Sequence, residues 1–340
     1  MKIRYLLSFP FAMGVGGGGQ ITTDILSNLS KNNECKPLDF EAREIDFDTL
    51  FVFGFTFINI HLLKFYKDNG VKVILYPIYD RMKSRLSMKF FNFLIKFPIM
   101  NIYSLRNNIL NSVDIIMVAN ESERKDLVEI YRCKSERIFT ARYCLSDQVF
   151  EKKDTVPDSL FFNKYKIKNF VFCSAVVISK RKNQISLIKA LKGTGIKLVL
   201  NNTHNIIDGL NEEFRTLTEN NNDVICLASL DSDMLFSCYK NAKVNISVSN
   251  AETAGLVNLE AGLMGCNLAA SALESHLEYI KDHAVFFDQN NIPEIRKSVL
   301  EALNKPKSIE TIKYIEDNYR WENYINQLES IILNFQKTIV

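Results

Sequence analysis

Apolar residues in this chain fall in short runs separated by longer amphipathic stretches. In the first half the runs are Ile3–Leu7, Leu50–Phe55, Val71–Tyr76, Ile115–Ala119 and Ile138–Ala141. In the second half they are Phe170–Val177, Ile196–Leu200, Val224–Leu227, Val244–Val248, Leu268–Ala270 and Val285–Phe287. Several are apolar at consecutive positions, as expected of strands covered on both faces. Between them lie segments of helical character, among them Glu121–Tyr131, Gln184–Leu191, Ile206–Thr218 and Met234–Asn241. Strands and helices alternating in this way give parallel sheets joined by right-handed crossovers. The pattern predicts an α/β architecture in each half.

A chain of 340 residues is long for one average domain and suggests two. The segment Glu151-Lys152-Lys153-Asp154-Thr155-Val156-Pro157 is charged and broken by proline, which places the boundary between Phe150 and Lys168. The expected layout is an N-terminal domain over 1–155 and a second over 165–305. Residues 306–340 add a closing helix from about Ser308 to Lys337, able to pack back on the first domain.

Composition changes this picture little. A hydrophobic share of 47% and a charged share of 24% describe an ordinary globular chain and exclude disorder. The net charge of +3 implies no general attraction to nucleic acid. The seven cysteines are scattered without a Cys-x-x-Cys pair, so zinc and redox motifs lack support. The four histidines show no metal-ligand spacing. No apolar run approaches the roughly 18 residues of a spanning helix, and Met1–Leu7 reads as a strand rather than a signal peptide. A reducing, cytoplasmic setting is expected.

Two constellations carry candidate chemistry. The first is Ser249-Asn250-Ala251-Glu252-Thr253-Ala254-Gly255-Leu256-Val257-Asn258-Leu259-Glu260, directly after the strand Val244–Val248. It lies at a carboxyl strand end, where doubly wound sheets take ligands. Gly255 stands where a helix begins, with Leu256, Leu259 and Leu263 as its apolar stripe. Free N–H groups at such a start suit a diphosphate, and a residue without a Cβ lets a ligand approach. The plain alternative is an amphipathic helix with two solvated glutamates. The second constellation, Ser179-Lys180-Arg181-Lys182-Asn183-Gln184, follows the strand Phe170–Val177. Its cations suit a departing diphosphate or form a solvated basic turn.

The Glu-x7-Glu spacing ending in Glu260-Ala261-Gly262-Leu263-Met264-Gly265 resembles the retaining GT-B glycosyltransferases of the family-4-like group, the glycosyl transferases group 1. That resemblance implies two Rossmann-like doubly wound domains facing a central cleft. It implies a hexose-type sugar moved, with retention and without a metal or other cofactor, from a UDP- or GDP-linked donor to a saccharide or lipid-linked saccharide. By the same resemblance Glu252 contacts the transferred sugar, Glu260 the nucleotide ribose, and Gly255 and Leu256 the ligand through their backbone; Ser249 also matches. Lys182 matches a cation that holds the diphosphate. The partner arginine of the family falls at Val177 or Ile178, so Arg181 or Lys180 would substitute. Ala254 stands where an aromatic is usual, and Cys266-Asn267 replaces a small-Pro step. Surface polysaccharide assembly, at the inner face of the cytoplasmic membrane, is the implied setting.

The first half resembles the family mainly in architecture. Gly14-Val15-Gly16-Gly17-Gly18-Gly19 follows the first strand and is open to two readings. One is a dinucleotide fingerprint, which lacks the acidic residue about 20 positions on. The other, implied by the resemblance, is a loop that turns Gly17 and Gly18 toward the donor phosphates. Asp80, after Tyr79 where many relatives carry a His, either orients the acceptor hydroxyl or caps a helix. Residues 81–113 hold Arg81, Lys83, Arg85, Lys89, Lys96 and Arg106 with no acid, interleaved with phenylalanines. They fit an anionic membrane surface or an ordinary helix with snorkelling lysines. Asp46-Phe47-Asp48 and Asp231-Ser232-Asp233 have an Asp-x-Asp form, but Asp231 better suits a helix cap. Two rival functions remain: a non-catalytic GT-B partner subunit, from the missing arginine and His, and a nicotinamide oxidoreductase, from the glycine run.

Overall fold

The computed structural model describes residues 1–8, 17–55, 58–78, 87–88 and 102–337. The chain divides into two compact units, one of Met1–Tyr143 with Trp321–Val340 and one of Cys144–Arg320.

The first unit holds a six-stranded parallel sheet. Its strands are β1 (Lys2–Leu7), β2 (Glu34–Pro37), β3 (Thr49–Phe53), β4 (Lys72–Tyr76), β5 (Ile115–Val118) and β6 (Ile138–Thr140), in the order β2-β1-β3-β4-β5-β6. Every residue of β3, β4 and β5 is buried, so consecutive apolar positions here do mean cover on both faces. The strand that the apolar pattern misses is β2. It is an edge strand of sequence Glu-Cys-Lys-Pro, mostly accessible, with no burial to select apolar residues. The Gly17–Leu29 helix and the Trp321–Lys337 helix meet on this unit, where Asn33 Nδ2 donates to Glu329 Oε1 at 2.6 Å.

The second unit holds β7 (Val171–Cys173), β8 (Leu198–Leu200), β9 (Val224–Cys226), β10 (Val244–Ser247), β11 (Asn267–Ser271) and β12 (Ala284–Phe287). All pairings are parallel and the order is β12-β11-β10-β7-β8-β9. The core between sheet and helices is aliphatic: Leu187, Leu198, Leu200, Val244, Ile295 and Val299 are all fully buried. At about 1.5–3 kcal/mol for each such side chain, this layer is what holds the unit together. The expectation of two doubly wound α/β domains is met.

Three elements differ from the sequence reading, each for a local reason. β7 ends at Cys173 rather than running to Val177. Beyond it, side chains from the loop after β8 replace the ladder: Asn201 Oδ1 accepts from Ala175 N–H at 2.9 Å and Asn202 Nδ2 donates to Ala175 O at 2.7 Å. The helix expected from Ile206 begins at Asn211, because Asp208 and Gly209 take φ of +61° and +73°. The closing helix is two helices, Ile309–Asn318 and Trp321–Lys337. The break falls at Tyr319, whose buried hydroxyl donates to Tyr279 O at 2.5 Å. The proline-broken segment after Phe150 is itself largely helical, as Asp147–Thr155 and Ser159–Tyr165.

Asn267 has a structural use where the resembling family favours proline. Its Nδ2 donates to Ala302 O and Lys305 O, both at 2.8 Å, closing the end of the Ile292–Asn304 helix. Asn267→Ala removes both hydrogen bonds while Ala302 O keeps the Lys305 N–H at 3.3 Å, and the expected loss is about 1 kcal/mol of unfolding free energy in urea titration.

Candidate functional site

In the second sheet the chain runs from β7 outward to β9, returns to β10 beside β7, and then continues the other way. The order therefore reverses between β7 and β10, and the region outside the carboxyl strand ends at such a reversal is where doubly wound sheets take ligands. The two charged constellations are the two loops that leave these ends. They are tied to each other by main chain and side chain. Asn250 N–H donates to Arg181 O at 2.8 Å, and Asn250 Nδ2 donates to Lys180 O at 2.7 Å.

That tie brings the charges together. Lys182 Nζ forms an ion pair with Glu252 Oε1, 70 positions along the chain, with side chains only 13% and 10% exposed. Ser249 Oγ donates to the same oxygen at 2.7 Å, and Ser275 Oγ donates to Glu252 O at 2.7 Å. Arg181 Nη1 stands 4.0 Å from the other carboxylate oxygen and reaches Ala251 O at 3.4 Å, with its side chain 47% exposed. Burial pushes the Glu252 carboxyl up, but Lys182, then Arg181 and His276, outweigh it and hold the group below the usual carboxylate range. Glu252 is a buried anion with a buried cation on it.

The helix that follows, Leu256–Leu263, starts at Gly255 with φ +68° and ψ +46° and has no side-chain cap. Its first N–H groups are free of a side-chain acceptor, which leaves an anion-attracting end beside Lys182. A Cβ on Gly255 would lie 2.7 Å from His276 Nε2, so both the conformation and the packing demand glycine here. His276 is fully buried, and its Nδ1 meets Ser271 O at 2.9 Å. A carbonyl only accepts, so Nδ1 carries the proton and Nε2, which has no hydrogen-bond partner among the described residues, is a bare acceptor. Burial keeps this imidazole below its usual pKa, against the opposing pull of Glu252.

Glu260 lies one turn deeper on the same helix. Tyr239 Oη donates to its Oε2 at 3.2 Å. Burial pushes the Glu260 carboxyl up to about 7, with the Tyr239 hydrogen bond working the other way. The two glutamates are therefore unlike: one is ionised across the neutral range, and the other titrates within it.

The structure brings Ser249, Glu252, Gly255, Leu256, Glu260, Lys182 and Arg181 onto the two loops and one helix at the reversal point. Val177, at the family's arginine position, supplies no cation, and Arg181 is the second positive group near Glu252. Gly17 and Gly18 form the start of the Gly17–Leu29 helix of the other unit. Asp80 and Tyr79 lie outside the described residues, as do 81–86 and 89–101. Within the rest of the basic segment, Arg106 is buried with its guanidinium 5.0 Å over the Phe55 ring, so it is a core residue and not a membrane-facing cation. Asp231 caps the Ser232–Asn241 helix through Met234 N–H at 2.9 Å, and Asp46 pairs with Arg4. Among the described residues no cluster of three His, Cys, Asp or Glu is placed to hold a metal, and no helix is long and apolar enough to cross a membrane.

Sequence reasoning missed Tyr239 and His276. Tyr239 sits on a correctly expected helix with nothing in the motif to mark it. His276 was visible only as a histidine without metal spacing.

A two-unit α/β chain with paired acids and cations at a strand-order reversal is the class of protein the fold and site define, and comparison with known proteins agrees. Residues 158–321 match the family described as Glycosyl transferases group 1. The fold is the two-domain GT-B fold of solved glycosyltransferases. Sucrose-phosphate synthase from Thermosynechococcus elongatus superposes with a TM-score of 0.74 at 11% identity, covering 99% of each chain. A glycosyltransferase from Rickettsia africae ESF-5 gives 0.73 at 13% identity, covering 99% of this chain and 98% of that one. Anabaena HepE in complex with UDP gives 0.72 at 13%, covering 98% and 100%. Among curated proteins, none matches the chain by sequence. The family match and the fold together support a glycosyltransferase.

The Glu260 carboxyl makes a stability prediction. Its folded pKa is raised from the model-compound value of 4.5 to about 7. The stabilisation from holding its proton is complete below about 4.5 and is lost as pH rises through 7. Glu260→Gln cannot ionise. It is expected to leave the melting temperature unchanged at pH 4.5 and to raise it by several degrees at pH 8, toward an upper bound of about 3 kcal/mol. Calorimetry of both proteins at the two pH values checks this.

Proposed function

We propose that the second unit binds a nucleotide sugar and that the chain transfers a hexose-type sugar from it, with retention and without a metal, to a saccharide or lipid-linked saccharide. The observation that carries this reading is the Lys182–Glu252 pair at the mouth of an uncapped helix start, on the strand-order reversal. Anabaena HepE, a relative in fold, is described in complex with UDP and with UDP and glucose, which supports a nucleotide-sugar ligand.

The chemistry follows from the charges. Lys182 is held by Glu252. An arriving diphosphate offers Lys182 a stronger anion, and the helix start adds further N–H donors. The sugar C1–oxygen bond to the diphosphate breaks while a bond from C1 to the acceptor oxygen forms on the same face, and the acceptor hydroxyl proton passes to the departing diphosphate oxygen. Lys182, Arg181 and the amides at Gly255 and Leu256 stabilise the charge that collects on the leaving group. Glu252, released from Lys182, turns its lone pairs to sugar hydroxyls and orients the ring. Glu260 receives the ribose hydroxyls. Asp80 is assigned to orienting the acceptor hydroxyl, and Gly17 and Gly18 to the donor phosphates. The acceptor is placed in surface polysaccharide assembly at the inner membrane face, motivated by the basic, phenylalanine-rich 81–113 segment.

A thermal-shift screen over UDP-, GDP- and ADP-linked hexoses is expected to find at least one that raises the melting temperature. Glu260→Ala should weaken it about tenfold or more, and Lys182→Ala should lower turnover by about a hundredfold or more while the fold is kept. Unchanged affinity in Glu260→Ala contradicts the ribose assignment. Sedimentation with vesicles of anionic lipid should show binding at low salt that fades above roughly 0.3 M salt, as screening shortens the reach of the lysines. No sedimentation at low salt removes the membrane proposal.

A further inference from the structure

Tyr239 is fully buried in the second unit, and its ring is wedged between Phe172 at 5.4 Å and Phe236 at 6.0 Å. Its backbone is fixed as well, since Cys266 Sγ donates to Tyr239 O at 3.0 Å. A side chain held this firmly has little freedom in where its hydroxyl points. That hydroxyl donates to Glu260 Oε2 at 3.2 Å. Burial keeps the phenol well above its usual pKa, so it remains a donor.

Tyr239 is the titratable group that acts on Glu260 among the described residues. Lys182, Arg181 and His276 act instead on Glu252.

We propose that Tyr239 is a positioning residue for ribose recognition, and that through Glu260 it makes nucleotide affinity rise with pH across neutrality. This rests on the reading of Glu260 as the ribose carboxylate. A ribose diol brings two O–H donors, and Tyr239 brings a third. An ionised carboxylate has lone pairs for all three. A protonated carboxyl keeps one acceptor oxygen and must spend its own proton on a hydroxyl oxygen, so it accepts from fewer of the three donors. The ionised form is the better match, so the ligand favours loss of a proton from a group that burial keeps protonated near neutral pH. Tyr239 lowers the cost of that ionisation by donating to the anion.

The test is isothermal titration of UDP-glucose, GDP-mannose and ADP-glucose between pH 5.5 and 8.5, a range in which their diphosphate diesters do not titrate. For a ligand that binds, affinity is expected to fall toward tenfold per pH unit below a midpoint near neutrality and to level off above it. Tyr239→Phe keeps the ring and loses the donor. Its midpoint should move up by half a unit or more, weakening binding at pH 7 several-fold. Glu260→Gln should give a flat profile. A midpoint unmoved in Tyr239→Phe, or a flat wild-type profile, overturns the inference and leaves the nucleotide reading standing. Absence of binding by every nucleotide sugar at every pH overturns both. Should Tyr239→Phe fail to fold by circular dichroism, a sloped profile in Glu260→Gln still overturns the inference.

Discussion

A buried lysine and a buried glutamate, joined across 70 positions of sequence, set the terms for the second unit. Each charge offsets the other's loss of water, with side chains only 13% and 10% exposed. The pair exists because the sheet reverses its order between β7 and β10, which puts the two loops on neighbouring strand ends. The loops are then laced by Asn250 to the carbonyls of Lys180 and Arg181. Removing either partner would strand the other in a place water scarcely reaches. A pair of this kind is poorly suited to holding a fold and well suited to being exchanged, since any anion that enters competes for the same cation.

The two glutamates of one motif show how environment divides identical chemistry. Glu252 is surrounded by Lys182, Arg181, Ser249 and the Ser275 hydroxyl, and it is ionised throughout the neutral range. Glu260, eight residues on, has a single phenol for company and gives up its proton only near neutrality. Glu252 lies in the loop before the Leu256–Leu263 helix and Glu260 on the helix itself. Gly255 allows this arrangement because its place beside His276 has no room for a further atom.

Much of the fold was legible because burial on both faces writes itself as consecutive apolar residues. That holds for β3, β4 and β5 almost residue by residue. It fails at β2, an exposed edge with nothing to bury, and at the end of β7, where Asn201 and Asn202 take over the hydrogen bonds from another loop. The motif residues were legible because spacing along a helix and position after a strand are local properties. Tyr239 and His276 were not, since they reach the motif only through packing of the Ser232–Asn241 and Glu274–Ile280 helices, which no local pattern encodes.

The break at Tyr319 has a consequence for biogenesis. The second unit is one uninterrupted stretch, Cys144–Arg320, whereas the first is assembled from Met1–Tyr143 and the distant Trp321–Val340. During synthesis, then, the whole of the second unit leaves the ribosome before Trp321–Val340 does. The N-terminal sheet lacks the Trp321–Lys337 helix, and the flank of the Gly17–Leu29 helix stays uncovered, until that later stretch emerges. Vectorial order and folding order are thereby inverted.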